Sequence, residues 1–166
     1  MRVHPLTEHF TLEELLRPNT PIATVPQDVR ENLERLALDI LEPVRVAFDL
    51  PVVVSSGYRP YAYNIAIGGA KASDHVFGRA ADFRVADGPH PWETNTLNAF
   101  HLIRTNMVGR FGQLILEDHR IVLANPGKLW VHVAIPSAKH PGDGTDSAAM
   151  LFSPAPNVYE PWGGQA

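Results

Sequence analysis

From Pro26 onward apolar residues recur at helical spacing. Val29, Leu33, Leu36, Ile40, Leu41, Val44 and Phe48 fall on one side, and Arg30, Glu31, Glu34 and Arg35 on the other, which predicts the main core helix. Pro43 sits well inside that pattern and lacks an amide proton, so a break is expected near Glu42. Upstream, Thr11 and Glu14 form a capping box ahead of Leu12, Leu15 and Leu16, predicting a short helix that docks the N-terminus and stops before Pro18. The β-branched run Val52-Val-Val-Ser-Ser56, closed by Gly57, reads as a buried strand entering a turn that carries Tyr58, Arg59 and Pro60. Residues 61–67 suit a short helix ended by Gly68-Gly69, residues 70–78 a loop, and residues 80–85 a strand. Leu97, Phe100, Ile103 and Met107 share one face of a second core helix that starts near Pro91, where a missing donor costs nothing. Residues 111–117 and 129–135 have strand length and pattern, with room for one more short strand over 118–128.

These elements predict an α+β fold in which helices pack on a small, largely antiparallel sheet. A chain of 166 residues, 45% of them apolar, suits one domain with one core. That domain is assigned to residues 1–136. Residues 137–166 are rich in Gly and Pro with little periodicity, and are read as an extended tail anchored by Met150, Leu151, Phe152, Tyr159 and Trp162. No period repeats along the chain.

Charge and composition remove several functions. The formal net charge of -4 supplies no basic field for gripping phosphates, so nucleic acid is not expected as a partner. The absence of cysteine excludes disulfide scaffolds, thiolate zinc sites and cysteine nucleophiles, leaving His and carboxylates for any metal. The first residues carry no apolar stretch of the secretory kind, and no run approaches the roughly 18–20 residues that span a bilayer. A protein made in the cytoplasm, without membrane insertion, is expected.

The chemistry concentrates in Ser73-Asp-His75-Val-Phe-Gly78-Arg-Ala80-Ala-Asp82, joined at a distance by Trp130-Val-His132. His75 and Asp82 would lie about 23 Å apart in an extended chain at about 3.3 Å per residue, so they meet at one ion only if the chain doubles back. Gly78 between them permits the turn. With His132 from a separate strand, the set is two imidazoles, one carboxylate and an open position, as in catalytic rather than structural zinc sites. Zinc bound in this way lowers the pKa of its water towards roughly 7 and polarises a carbonyl, as peptide hydrolysis requires. The same residues admit a plainer account, with His132 a core histidine bonded to a backbone carbonyl and Asp82 closing a turn.

Ser73-x-His75-x-x-Gly78-x-Ala80-x-Asp82 followed by Trp130-x-His132 resembles the zinc D-Ala-D-Ala carboxypeptidase family, a group that includes dipeptidases and phage peptidoglycan endopeptidases. The likeness extends to His9-Phe-Thr-Leu-Glu-Glu14, Asn32-Leu33, Leu41-Glu-Pro-Val-Arg45, Ser56-Gly-Tyr-Arg-Pro60, Asn64 and Gly68-Gly69, and covers roughly residues 8–135. It implies a hedgehog/D-Ala-D-Ala peptidase-like fold and zinc (Zn2+) held by His75, Asp82 and His132. It also implies that Arg59 faces the site and stabilises a substrate carboxylate or an oxyanion, with Tyr58 and Ser73 beside it for substrate. For Arg59 the chemistry is sound, since a fixed guanidinium offers paired donors to developing charge. A serine at position 73 suits equally well the capping of the His75 loop.

The chain departs from the family pattern at the general base. Many members carry an acid about three positions before the last histidine ligand, and here that position is Leu129. Glu117 is the expected substitute: Gln113, Ile115 and Glu117 share one strand face, and an antiparallel neighbour presenting Trp130, His132 and Ala134 would set Glu117 beside the metal. Asp118 and Asp74 are weaker alternatives. The expectation is a zinc metallopeptidase cutting peptidoglycan stem peptides, of D-Ala-D-Ala carboxypeptidase or L-Ala-D-Glu endopeptidase type, serving phage cell-wall lysis as an endolysin or virion component. Two rivals are a non-catalytic zinc-containing wall-binding module and a virion structural protein docked through the tail.

Overall fold

The structure, a computed structural model, describes residues 4–16, 20–142, 150–156 and 158–161. The long apolar stripe after Pro26 forms α1 (Gln27–Leu36), a π-helical turn (Ala37–Leu41) and α2 (Glu42–Phe48) in unbroken succession. Val29, Leu33, Leu36, Ile40, Leu41 and Val44 are all buried. The break expected near Glu42 is thus a widened turn ending one residue earlier. Pro43 has no N–H, and its ring would strike the carbonyl four residues back in a regular α-helix, so a π turn just before it lets the axis continue. The capping box at the N-terminus is present: the Thr11 N–H donates to Glu14 Oε2 at 2.7 Å, and the Glu14 N–H donates to Thr11 Oγ1 at 3.4 Å. It opens only a 3₁₀ turn, Glu13–Leu15, which buries Leu15.

Two further helices are α3 (Tyr61–Ala66) and α4 (Trp92–Asn106). The strands are β1 (Val52–Ser56), β2 (Ala80–Val85), β3 (Gln113–Asp118), β4 (Leu129–Ala134), β5 (Met150–Ala155) and β6 (Val158–Pro161). They form one six-stranded sheet in the order β1-β2-β4-β3-β5-β6. Every neighbouring pair is antiparallel except β3 with β5. The α+β class and largely antiparallel sheet stand as expected.

Three local expectations change. β1 is an edge strand with alternate residues exposed, because only β2 pairs with it, and so is not a buried strand. Residues 119–128 hold turns and no strand. Leu151, Phe152 and Tyr159, read as anchors of a tail, belong to the paired strands β5 and β6. Trp162 lies outside the described residues.

Period-two alternation divides the sheet into two faces. Ala81, Phe83 and Val85 of β2, Leu114 and Leu116 of β3, and Leu129, Val131 and Val133 of β4 point to the core, against α4 and the α1 region. Asp82, Ile115, Glu117, Trp130 and His132 take the opposite face. α1 and α4 pack on the first face, and polar members of the second line a cleft. Among the described residues no helix is long and apolar enough to cross a membrane.

Candidate metal centre and cleft

Register brings the first two candidate groups together. Asp82 on β2 pairs directly with His132 on β4, and His132 pairs with Ile115 on β3. The third, His75, comes from a 3₁₀ turn, Asp74–Phe77, that packs on α1. The doubling back occurs at Gly78, whose φ of 67° is left-handed and where a Cβ would lie 2.7 Å from the Val29 carbonyl oxygen. Glycine meets both demands. Asn32 of α1 donates its side-chain N–H to the Phe77 carbonyl at 2.9 Å and holds the turn from below.

His75, Asp82 and His132 offer ligand atoms that all lie within 4.8 Å of one another. Asp82 Oδ1 is 3.2 Å from His75 Nε2 and 2.8 Å from His132 Nδ1. The other Asp82 oxygen accepts from Arg59 Nη2 at 2.7 Å. His75 Nδ1–H donates to the Gly57 carbonyl at 2.8 Å, which orients the ring and directs Nε2 at Asp82. Burial works against ionisation of Asp82, yet the nearby charges and hydrogen bonds of His75 and His132 outweigh it and hold the carboxyl far below its ordinary range.

These features fit a divalent cation. One carboxylate oxygen and two ring nitrogens converge, the outer atoms of His75 and Asp82 are braced, and the donors are the imidazole and carboxylate types that suit zinc. A second group, Glu8, His9 and Glu42, also lies close together, but Glu8 and His9 are exposed. Glu42 clasps the N-terminal segment to α2, with Thr7 Oγ1 and His9 Nδ1 each 2.6 Å from one of its oxygens.

Glu117 opposes Trp130 across β3 and β4, one step along the same face from the Ile115–His132 pair. It lines the cleft of about 620 Å³ that also holds His75, Asp82, His132, Arg59 and Ser73. Burial pushes its pKa up, against a hydrogen bond from Ser153 and the positive fields of His132 and His119. Leu129, where an acid is often found in the family pattern, faces the core at 2% exposure. Three is an odd step, so on a regular strand position 129 points away from His132. Asp118 likewise turns from the cleft and is gripped by Arg120 at 2.7 and 2.8 Å, while Asp74 lies 3.9 Å from Arg79.

Arg59 reaches the cleft with Nε donating to Ser56 Oγ at 2.7 Å and Nη2 to Asp82. Nη1 has no hydrogen-bond partner among the described residues. Ser73 makes no side-chain cap bond. Its carbonyl closes the turn by accepting from the Val76 N–H at 3.0 Å, and the residue lines the cleft. Tyr58 is not brought to this cleft. It lines a neighbouring cavity of about 550 Å³ with Glu13, Glu14 and Tyr63, and among the described residues only Arg59 borders both.

Two groups of the cleft region were not read from the sequence. His119 Nε2 lies 2.9 Å from Glu117 Oε2 and 3.0 Å from Ser153 Oγ. The one available signal was the Glu117-x-His119 spacing, which places both on the same side of an extended chain. Ser153 carried no signal, since β5 joins β3 only through tertiary pairing.

Compared with known families, the chain matches the model described as Peptidase M15 over residues 8–115, more than half its length. The matched span contains Arg59, Ser73, His75 and Asp82 and ends before Glu117 and His132. None of the curated proteins compared with the chain matches it.

Proposed function

The chain belongs to the peptidase M15 family of zinc-dependent metallopeptidases, and on that premise we propose that it hydrolyses peptide bonds in peptidoglycan stem peptides. The observation that carries this is the convergence of His75, Asp82 and His132 on one point with Glu117 one step away on the same sheet face. The cleavage is of the D-Ala-D-Ala carboxypeptidase or L-Ala-D-Glu endopeptidase type, and its setting is phage cell-wall lysis, as an endolysin or from within a virion.

His75, Asp82 and His132 would hold the zinc, which when bound supplies Lewis acidity to a water and to the scissile carbonyl. The remaining work falls to the chain's own side chains. Glu117 takes the proton of the attacking water and hands it to the leaving amine, and its burial makes it a stronger base than an exposed glutamate. Arg59 does two things: Nη2 keeps Asp82 oriented, and Nη1 offers a donor to the oxygen that becomes anionic. Ser73 presents a hydroxyl to the substrate backbone from the rim of the cleft.

The test is mass spectrometry of the products released when zinc-loaded protein meets purified peptidoglycan and isolated stem peptides, with a chelator-treated control. Chelator-sensitive loss of D-Ala assigns the carboxypeptidase, and a new D-Glu amino terminus assigns the endopeptidase. Intact peptides after incubation with fully loaded protein would refute the peptidase and leave a wall-binding module.

A further inference from the structure

Glu117 has two equivalent oxygens, but a general base needs one of them held in line with the proton it removes. On this sheet the second oxygen is taken. His119, 4% exposed, places Nε2 at 2.9 Å from Glu117 Oε2. The same nitrogen lies 3.0 Å from Ser153 Oγ, and Ser153 is wholly buried. The Ser153 hydroxyl has one proton, within reach of the Ala155 carbonyl at 3.0 Å and of Glu117, and with that proton given to either acceptor it meets His119 as an acceptor. The hydrogen bond to Ser153 selects the tautomer that carries its proton at Nε2, and Glu117 Oε2 lies within ion-pair distance of the same nitrogen. The ring itself is held edge-on against Trp130, with centroids 5.0 Å apart and planes at 77°. Trp130 is the residue opposite Glu117 in the β3–β4 ladder, and Ser153 is its neighbour on β5. His119 is therefore fixed by both strands that flank Glu117.

We propose that His119, steered by Ser153 and Trp130, is a positioning residue that holds Glu117 Oε2 and so aims Oε1 into the cleft. This rests on the peptidase reading and adds to it a role for the segment that carries Ser153. His119 borders the same cleft but is 4% exposed and is no metal ligand in this scheme. It acts only through Glu117.

The test uses full-length, zinc-loaded protein in the stem-peptide assay. His119→Gln keeps an N–H donor near the position of Nε2, and His119→Asn places its donor nearer the backbone. The expected result is kcat within a few-fold of wild type for Gln and roughly 10- to 100-fold lower for Asn, with KM and bound zinc unchanged in both. In a Glu117→Gln background, His119→Asn should have no further effect, because there is no base left to aim. Should the Asn variant fail to fold, Ser153→Ala replaces it in the same cycle, with a smaller loss that also vanishes beside Glu117→Gln. Equal kcat for Gln and Asn, or losses that add to that of Glu117→Gln, would overturn the proposal while the peptidase stands. A wild type that cleaves no stem peptide overturns both.

Discussion

Gly57 lies where the N-terminal segment meets the metal centre, so replacing it with alanine should disturb both at once. A Cβ at this position would lie 2.2 Å from the Leu15 carbonyl oxygen and 2.9 Å from its carbonyl carbon. Relief requires a backbone displacement on the order of 1 Å. Leu15 is fully buried and its carbonyl accepts from the Tyr58 N–H at 2.8 Å, so it has little room to recede. Overpacking of this kind costs about 1–3 kcal/mol and the strained hydrogen bond about 1 more. At about 2–4 °C per kcal/mol for a chain of this size, the melting temperature of the metal-free protein should fall by about 4–16 °C. The same displacement moves the carbonyl that receives His75 Nδ1–H. Loss of such an outer partner weakens metal binding by about 10- to 100-fold. Gly68→Ala is the control: φ there is 77°, but nothing lies within 4 Å of the added Cβ. Its cost is the left-handed backbone alone, about 1–2 kcal/mol, with zinc affinity unchanged. Thermal unfolding and zinc titration against a chromophoric chelator read the two effects separately. A Gly57→Ala protein that melts with the wild type and binds zinc equally well would refute the link from Leu15 through Gly57 to His75.

Four other outcomes can be measured. Leu129→Glu should not add a base: its side chain enters the core, so stability in denaturant titration falls by roughly 3 kcal/mol or more while turnover does not rise. Glu117→Gln should keep its zinc, measured by elemental analysis, and lose about 10²- to 10⁴-fold in kcat. At Glu42, burial favours the neutral acid, but hydrogen bonds from Thr7 and His9 outweigh it and lower the pKa below its ordinary 4.5. A lowered carboxyl stabilises the fold above its unfolded value and stops doing so as pH falls through the folded one. Glu42→Gln should therefore be less stable than wild type by about 1.5–3 kcal/mol at pH 7, and the gap should close on acidification below about 4.5 when unfolding is followed against pH. Chelation should lower the melting temperature, since free zinc at about 1,000 times its Kd contributes about 4 kcal/mol, and a melting curve unaltered by chelator would argue against a bound metal.

Local pattern carried much of this protein. The stripe from Val29 to Val44, the capping box of Thr11 and Glu14, and the β-branched run of β1 each depend on neighbours within a few residues, so their period is legible in one dimension. The alternation of β3 and β4 was legible too, and with it the shared face of Ile115, Glu117 and His132. Residue type and the reversal at Gly78 singled out His75, Asp82 and His132 but left a plainer account open, and the family resemblance pointed to a shared ion; the structure brings the three side chains together. Pairing between distant segments was not. Nothing local to β5 says that it lies parallel beside β3, so residues 150–161 read as tail and Ser153 passed unnoticed beside His119. β1 read as buried because the run Val52-Val-Val cannot tell whether a sheet continues on both sides, and here it ends. Tyr58 and Arg59 are adjacent in sequence and share the smaller cavity, yet of the two the turn brings only Arg59 to the metal cleft. Periodicity records which residues share a face of an element, and only long-range packing decides what that face meets.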